Sequence, residues 1–363
     1  MAGTGTAVGP KTTVDCYDFW DRVFRRAGTI DYTEGYYRGD PTVPYEQAQH
    51  DQVCYLLDEV GCRAGSRVLD VGCGNGRLLE KVRRRGGEGI GVTISPAQAR
   101  YCRARGLDVR LLSYRDVGEE WTGRFDAVVA NGSIEHFVQA ADALAGRADA
   151  IYEEMFAFFH RVIDPRSPSR RVVNTTIHFD NINVTPGAAL RSPWSLRWFS
   201  DEFHCALLVR GFGGYYPTPG QLERCARPFF RLVAGRDATR DYHWTSEEWL
   251  RRGRRSLLSA RLWGRLLPFL LRHPLYGARM MFLLNVARTW NWQFRGERPP
   301  MTHLWQTWDW VEPQRSAAVE AGPSGPPAGL TGSSRRAAGD GAAAADLGAG
   351  EVTGDRLTPP APG

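Results

Sequence analysis

The chain of 363 residues is apolar at 42% of its positions, enough to bury a core in one large or two modest domains. Its net charge of +6 rests almost wholly on arginine, with Lys11 and Lys81 the only lysines, and suits an anionic partner such as a phosphate, an acidic carrier protein or a membrane surface. The opening MAGTGTAVGPKTT has no apolar signal core and no apolar run reaches spanning length, so neither export nor a transmembrane anchor is expected, and the expected location is cytoplasmic. Seven cysteines, at 16, 54, 62, 73, 102, 205 and 225, form no CxxC or Cys/His metal spacing and read as reduced structural thiols, with no metal site.

In chain order, residues 1–14 are small and polar and read as disordered. Helices follow within 15–60, one of them around Gln47 to Val60. A core over 61–175 then alternates strand Arg67 to Val71, a helix from Arg77, strand Gly89 to Thr93, a helix from Pro96, strand Val109 to Leu112, strand Phe125 to Ala130 and a helix around Ala140 to Val162. Short apolar strands alternating with helices predict a parallel sheet covered on both faces. Beyond Asn174 the rhythm breaks, and the aromatic, Gly-rich stretch Thr185 to Pro219 reads as part of a substrate-binding cap over 176–312. Residues 313–363, rich in Ala, Gly and Pro, cannot bury enough apolar area to offset ordering and read as disordered.

RVLDVGCGNGRLLEKV, residues 67 to 82, runs a buried strand into a Gly-x-Gly-x-Gly turn and a helix. Gly72, Gly74 and Gly76 permit positive φ and close backbone approach, so a ligand can lie against the strand end and the helix N-terminus. GxGxG preceded by Asp70, rather than GxGxxG, favours S-adenosylmethionine over a dinucleotide, and Cys73 lies within the same turn. The second strand ends in GVTISPAQ, which offers Thr93, Ser95 and Gln98 where an acidic residue usually holds a ribose.

GVTISxxQ, the segment LLSYRDV and the Glu-His-Phe triplet of Glu135, His136 and Phe137 resemble the cyclopropane-fatty-acyl-phospholipid synthase family, which includes the mycolic-acid cyclopropane synthases. DYHWTSEEWLRR is similar to that family's Tyr-x-x-Thr-Leu-x-x-Trp segment, with Tyr242 at the tyrosine, and residues 280 to 308 to its closing helix and final strand; CYDFWDRVF and PYEQAQ resemble its opening helices. The resemblance covers about residues 15 to 310 in ordered blocks. It implies a Rossmann-like class I S-adenosylmethionine-dependent methyltransferase fold, α/β with a helical and aromatic cap, and puts Tyr114 and Arg115 beside the adenine.

The resemblance further implies C-methylation of the double bond of an unsaturated fatty acyl or lipid substrate. The alkene becomes a carbocation, and a base then removes a proton to give a cyclopropane or a methyl-branched product. An apolar tunnel shields such a cation from water, and aromatic faces stabilise it; Tyr36, Tyr37, Phe137, Tyr242 and Trp244 are the candidates. In the family the base is a bound bicarbonate held by a Glu, a Tyr, a His and a Cys. Glu135 and Tyr242 match two of these, but Glu34 stands at the Cys position and Thr175 at the His position, which puts bicarbonate in doubt. A carboxylate facing Glu135 disfavours a second anion, and the expectation is that Glu34 replaces bicarbonate as the base. The rival reading has Glu34 capping the following turn or pairing with an Arg. His178 is the candidate to swing into the place of the missing His.

WLRRGRRSLLSARLWGRLLPFLLRHP, residues 249 to 274, carries Leu258, Leu262 and Leu266 at helical spacing beside Arg254, Arg261 and Arg265, with Pro268 expected to kink or end the helix. It reads as a surface for an anionic membrane, at the inner face, or for an acyl carrier protein, or as an ordinary helix packing its leucines inward. The alternative function is C- or N-methylation of a secondary metabolite, since the family also resembles alkaloid N-methyltransferases that retain the Glu-His pair. A non-catalytic lipid-binding protein is a third reading, against which the intact glycines and Glu135 argue. Nucleic acid is not an expected partner, because no Asn-Pro-Pro-Tyr-type site follows the fourth strand.

Overall fold

The computed structural model describes residues 11–19 and 33–312, and the readings made for residues 1–10, for 20–24 of the opening-helix segment CYDFWDRVF and for 313–363 lie outside them. The chain divides into two units after Gln314, and everything described belongs to the first.

Strands β1 (Arg67–Val71), β2 (Glu88–Thr93), β3 (Asp108–Leu111), β4 (Ala127–Asn131), β5 (Arg171–Phe179), β6 (Phe230–Asp237) and β7 (Met301–Trp310) form one sheet in the order β3-β2-β1-β4-β5-β7-β6. The first five pair in parallel, whereas β7 runs antiparallel between β5 and β6. The sequence reading anticipated the parallel half and a final strand, but not the insertion of that strand between two others. The helices are α1 (Lys11–Phe19), α2 (Tyr45–Glu59), α3 (Arg77–Arg84), α4 (Pro96–Arg103), α5 (Ala140–Leu144), α6 (Ala148–Val162), α7 (Pro186–Leu190), α8 (Asp201–Phe212), α9 (Gln221–Ala226), α10 (Thr239–Ser256), α11 (Ala260–Arg272), α12 (Pro274–Met281) and α13 (Thr289–Trp292).

Local chemistry explains most boundaries. β1 and β4 are buried along nearly their whole length, as expected for strands covered on both faces. α4 begins where the Ser95 hydroxyl accepts the Gln98 N–H and Pro96 fills the first helical position. The single helix expected over 140–162 is two: Gln139 and Asp142 form a capping box for α5, and Gly146, at φ +71°, turns the chain before α6 starts. Lys11–Val14, read as disordered, are the first residues of α1.

The helix anticipated across 249–274 is also divided. α10 ends at Ser256 and α11 restarts at Ala260, so Leu262 and Leu266 pack inward while Leu258 lies in the exposed break between them. Pro268 sits inside α11 without ending it. The ladder bond it forfeits belongs to the carbonyl of exposed Gly264, which water can serve.

Two large apolar clusters flank the sheet. One joins β1, β4 and α6 around Tyr152, Phe156, Phe159 and Trp308. The other builds the cap from α1, α8, α10, α11 and the segments after them around Phe19, Phe203, Tyr242 and Trp249. The candidate site lies where the strand ends meet that cap.

Candidate active site

A cavity runs from the carboxyl ends of β1 and β2 to the cap. At one end Asp70, Gly72, Cys73, Gly74 and Asn75 follow β1, Thr93, Ile94 and Gln98 follow β2, and Tyr114 and Arg115 follow β3. Gly72 has φ +83°, and a Cβ there would stand 2.5 Å from the Ser133 Cβ, so this turn admits no side chain. Ser133 is itself held by donating its hydroxyl to the Val71 carbonyl at 2.7 Å. Asp70 is buried, and desolvation pushes its carboxyl up to about 7. Asn75 lines the same end, and its Oδ1 is buried without a hydrogen-bond partner among the described residues.

Eight of the ten cofactor candidates line this end. Gly76 and Ser95 do not: Gly76 is the left-handed residue before α3, packed against Leu107 and Cys102, and Ser95 caps α4. Thr93 donates its hydroxyl to Gln98 Oε1 at 2.7 Å, bracing the turn that faces the cavity. Arg115 donates to the Tyr114 hydroxyl at 3.2 Å, and the Tyr114 ring stacks on Phe137 with centroids 4.6 Å apart.

At the other end the wall is formed by Glu34, Glu135, His136, Phe137, Tyr216, Tyr242, Trp249 and Trp290, with Thr13, Cys16 and Tyr17 of α1 across from them. The backbone around Glu34 is pinned from both sides. Tyr45 and Gln49 of α2 donate to the Thr33 carbonyl at 2.8 and 3.0 Å, the Gly35 N–H donates to Thr245 Oγ1 at 3.0 Å, and the Tyr37 N–H donates to Asp241 at 2.6 Å. The Glu34 carboxyl therefore projects inward. Thr175 Oγ1 lies 3.1 Å from its Oε1, Gln52 Nε2 lies 3.5 Å from its Oε2, and His303 Nε2 lies 3.2 Å from Oε1. Among the described residues the basic group within 4 Å of this carboxyl is the histidine, an ion pair only if the ring is protonated and without hydrogen-bond geometry at Nε2, and no arginine pairs with it. Gly132, at φ +60°, makes room: a Cβ there would lie 3.0 Å from Glu34 Oε1.

His303 escaped the sequence reading. It sits on β7 opposite Ile177 of β5, fully buried, with its ring stacked on Tyr242 at 4.3 Å between centroids. The place assigned to His178 is thus filled from the neighbouring strand. His178 is three residues beyond Thr175 on β5, hence on the opposite face, and it does not line the cavity; burial pushes its imidazole down to about 3. The only sequence signal for His303 was an imidazole within the otherwise aromatic run MTHLWQTW, whose register against β5 is not readable locally.

Glu135 is buried and its Oε2 has no hydrogen-bond partner among the described residues. Desolvation first, and the charge of Glu34 second, push its carboxyl up to about 8. Burial pushes His136 down to about 4, so its imidazole is neutral near pH 7. The Tyr242 phenol is held well above its ordinary range by burial and by both glutamates. Thr175 stands behind Glu34, accepting the Gly132 N–H at 2.8 Å and lying 2.9 Å from Asn131 Oδ1, which takes a hydrogen bond from Gln52 at 2.8 Å.

Three substrate candidates lie away from the cavity. Tyr36 packs edge-on against Tyr55 and Trp305 under the Arg236 guanidinium, and Tyr37 meets Trp244 edge-on at 5.5 Å. Of the five aromatic candidates Phe137 and Tyr242 remain, joined by Tyr216, Trp249 and Trp290, which the sequence reading had not singled out.

The profile of the family described as mycolic acid cyclopropane synthetase matches residues 10–255, more than half of the chain. The chain belongs to this family. Two similar proteins are a probable fatty acid methyltransferase of Pseudomonas putida, 37% identical over 122 residues, covering 31% of this chain and 30% of that one, and a ubiquinone biosynthesis O-methyltransferase of Xanthomonas oryzae pv. oryzae, 40% identical over 89 residues, covering 22% and 37%. The matched stretch thus spans about a third of the length of these curated relatives. Among solved structures, the cyclopropane synthase MmaA2 of Mycobacterium tuberculosis superposes with a TM-score of 0.61 over 84% of this chain and 99% of its own, at 17% identity. The geranyl diphosphate C-methyltransferase of Streptomyces coelicolor A3(2) superposes at 0.52 over 84% and 100%, at 16% identity. These likenesses show the class I methyltransferase fold.

Proposed function

We propose that this protein is an S-adenosylmethionine-dependent C-methyltransferase acting on the double bond of an unsaturated fatty acyl or lipid chain, with Glu34 as its internal base. The single observation that carries this reading is the placement of Glu34, buried among Thr175, Gln52 and His303, on the wall of the cavity that begins at the glycine turn. The turn suits the cofactor: Gly72 leaves an open cradle, Asn75 offers an unpartnered acceptor, and Asp70 supplies a carboxyl. When bound there, S-adenosylmethionine supplies an electrophilic methyl group to an electron-rich carbon. The residues to hold it are Asp70, Gly72, Gly74, Thr93, Gln98, Tyr114 and Arg115.

The chain's own groups then handle the cation and its proton. Phe137, Tyr216, Tyr242, Trp249 and Trp290 present aromatic surface to a cation and exclude water. Glu135, with its carboxyl pushed up to about 8, is neutral near pH 7 and can donate a hydrogen bond. Glu34, with Thr175 Oγ1 3.1 Å and Gln52 Nε2 3.5 Å from its carboxyl, is the group placed to accept the proton at a carboxyl oxygen. His303 packs against that carboxyl, with Nε2 3.2 Å from Oε1, and rests on the Tyr242 ring. With Glu34 and Thr175 at the Cys and His positions of the family's bicarbonate site, this reading dispenses with bicarbonate.

A second reading, methylation of a small-molecule carbon or amine, takes support from His136 on the cavity wall. An imidazole pushed down to about 4 accepts an amine proton poorly near pH 7, which favours the alkene substrate.

The test is mass spectrometry of total lipids from a host expressing the protein and fed methyl-labelled methionine, against an empty vector. A new labelled acyl species is expected, and NMR assigns its ring or branch. Protein that binds S-adenosylhomocysteine yet yields no labelled lipid overturns the lipid substrate. Turnover that collapses on bicarbonate depletion but survives Glu34→Gln overturns the internal base.

A further inference from the structure

We propose that the outer face of α11 and α12 docks this protein on an anionic lipid bilayer. Trp263, Leu267 and Leu271 recur every fourth residue of α11, which aligns them along one stripe of that helix, and Leu275 lies in the first turn of α12 beyond the break at His273. All four are exposed, and with Leu258 in the preceding break the exposure runs from 46% for Trp263 to 91% for Leu258. The inward face is separately satisfied by Leu262, Leu266 and Phe269, so the outer stripe is surplus to the core. Exposed apolar residues in such a row mark an interaction site rather than scattered surface leucines.

Charge identifies the partner. From Trp249 to Gly296 the chain has ten arginines and no Asp or Glu. Arg254, Arg255, Arg261 and Arg272 are exposed and, among the described residues, make no ion pair. A helix face of Leu and Trp bordered by uncompensated arginines suits the boundary between headgroups and acyl chains, with apolar side chains below and guanidinium groups on the phosphates. An acidic carrier protein would match the arginines but leave leucines this exposed facing water. Trp249 and Trp290, near the two ends of this acid-free stretch, line the cavity, so the docking face belongs to the segment that closes the candidate active site.

The proposal draws its purpose from the lipid-substrate reading, but vesicle binding is read without turnover, so the two fail separately. The full-length protein is floated with phosphatidylcholine vesicles and with vesicles containing about one quarter phosphatidylglycerol. Binding to the anionic vesicles alone is expected, weakened at least about tenfold by the combined Leu267→Asp, Leu271→Asp and Leu275→Asp exchange and by raising salt to about 0.5 M. Circular dichroism and S-adenosylhomocysteine binding of the variant should match the parent, since all three side chains face outward. Four results overturn the proposal: no binding to either vesicle, binding that salt leaves unchanged, vesicle binding untouched by the leucine exchange in a folded variant, or a dimer that the exchange dissociates.

Discussion

Glu34 shows how a carboxyl changes character with its neighbours. Its backbone is fixed by Thr245, Asp241, Tyr45 and Gln49, so the side chain has little freedom to leave the cavity. Replacing it with Gln keeps the size and the contacts to Thr175 and Gln52 but removes the basic oxygen. On the internal-base reading, Glu34→Gln lowers kcat by about 10²-fold or more, while KM and S-adenosylhomocysteine affinity change little. His303→Ala is expected to lower kcat less, because the imidazole positions the carboxyl and does not itself take the proton. Steady-state assays of methyl incorporation read both. A Glu34→Gln variant impaired only in KM would instead make Glu34 a binding group.

At the scale of elements, the site depends on α2 and α10 gripping the irregular segment 33–37 between them. Thr245 is the joint: its hydroxyl accepts the Gly35 N–H and donates to the Asp241 carbonyl one turn back. Thr245→Val preserves the volume but strands a buried N–H, a change that should cost about 1–3 kcal/mol. The expected outcome is a lower Tm together with a loss of turnover, as Glu34 is released from its position. β7 is the second such element. By running antiparallel beside β5 it brings His303 opposite Ile177 and next to Tyr242 of α10, a contact spanning 61 residues of sequence that no local pattern encodes.

For the whole molecule, buried titratable groups oppose one another across the pH range. Burial pushes His136 and His204 down to about 4 and His178 to about 3, from an ordinary 6.5. Between those values the unfolded chain holds more protons than the native one, so stability rises with pH up to about 6.5 and is lost on acidification. Burial pushes Asp70 up to about 7 and Glu135 up to about 8, so here the native state holds the extra protons and stability falls as pH rises from about 4 toward 8. Below 6.5 the lowered histidines, His160 and His243 included, outnumber the raised carboxyls, Asp201 and Asp241 included, and above it Asp70 and Glu135 set the slope. Thermal melts should therefore peak between about pH 6 and 7, and Glu135→Gln should flatten the alkaline limb by removing one of its two causes.

Much of this molecule was legible in its residues. The glycine turn after β1, the Ser95 cap of α4 and the Glu-His-Phe triplet are encoded within a few consecutive positions, because φ preferences, capping and strand burial act locally. Ordered local blocks were enough to read the class of sheet and to name Glu34, Glu135 and Tyr242, which the fold brings to one cavity. Other features were decided only when distant segments met: β7 entering the sheet antiparallel, His303 rather than His178 beside Glu34, Tyr36 and Tyr37 turning away from the cavity, and the outward set of leucines on α11. Strand register and helix rotation are set by long-range packing, and a shift of one residue sends a strand side chain to the opposite face and turns a helical one by about 100°.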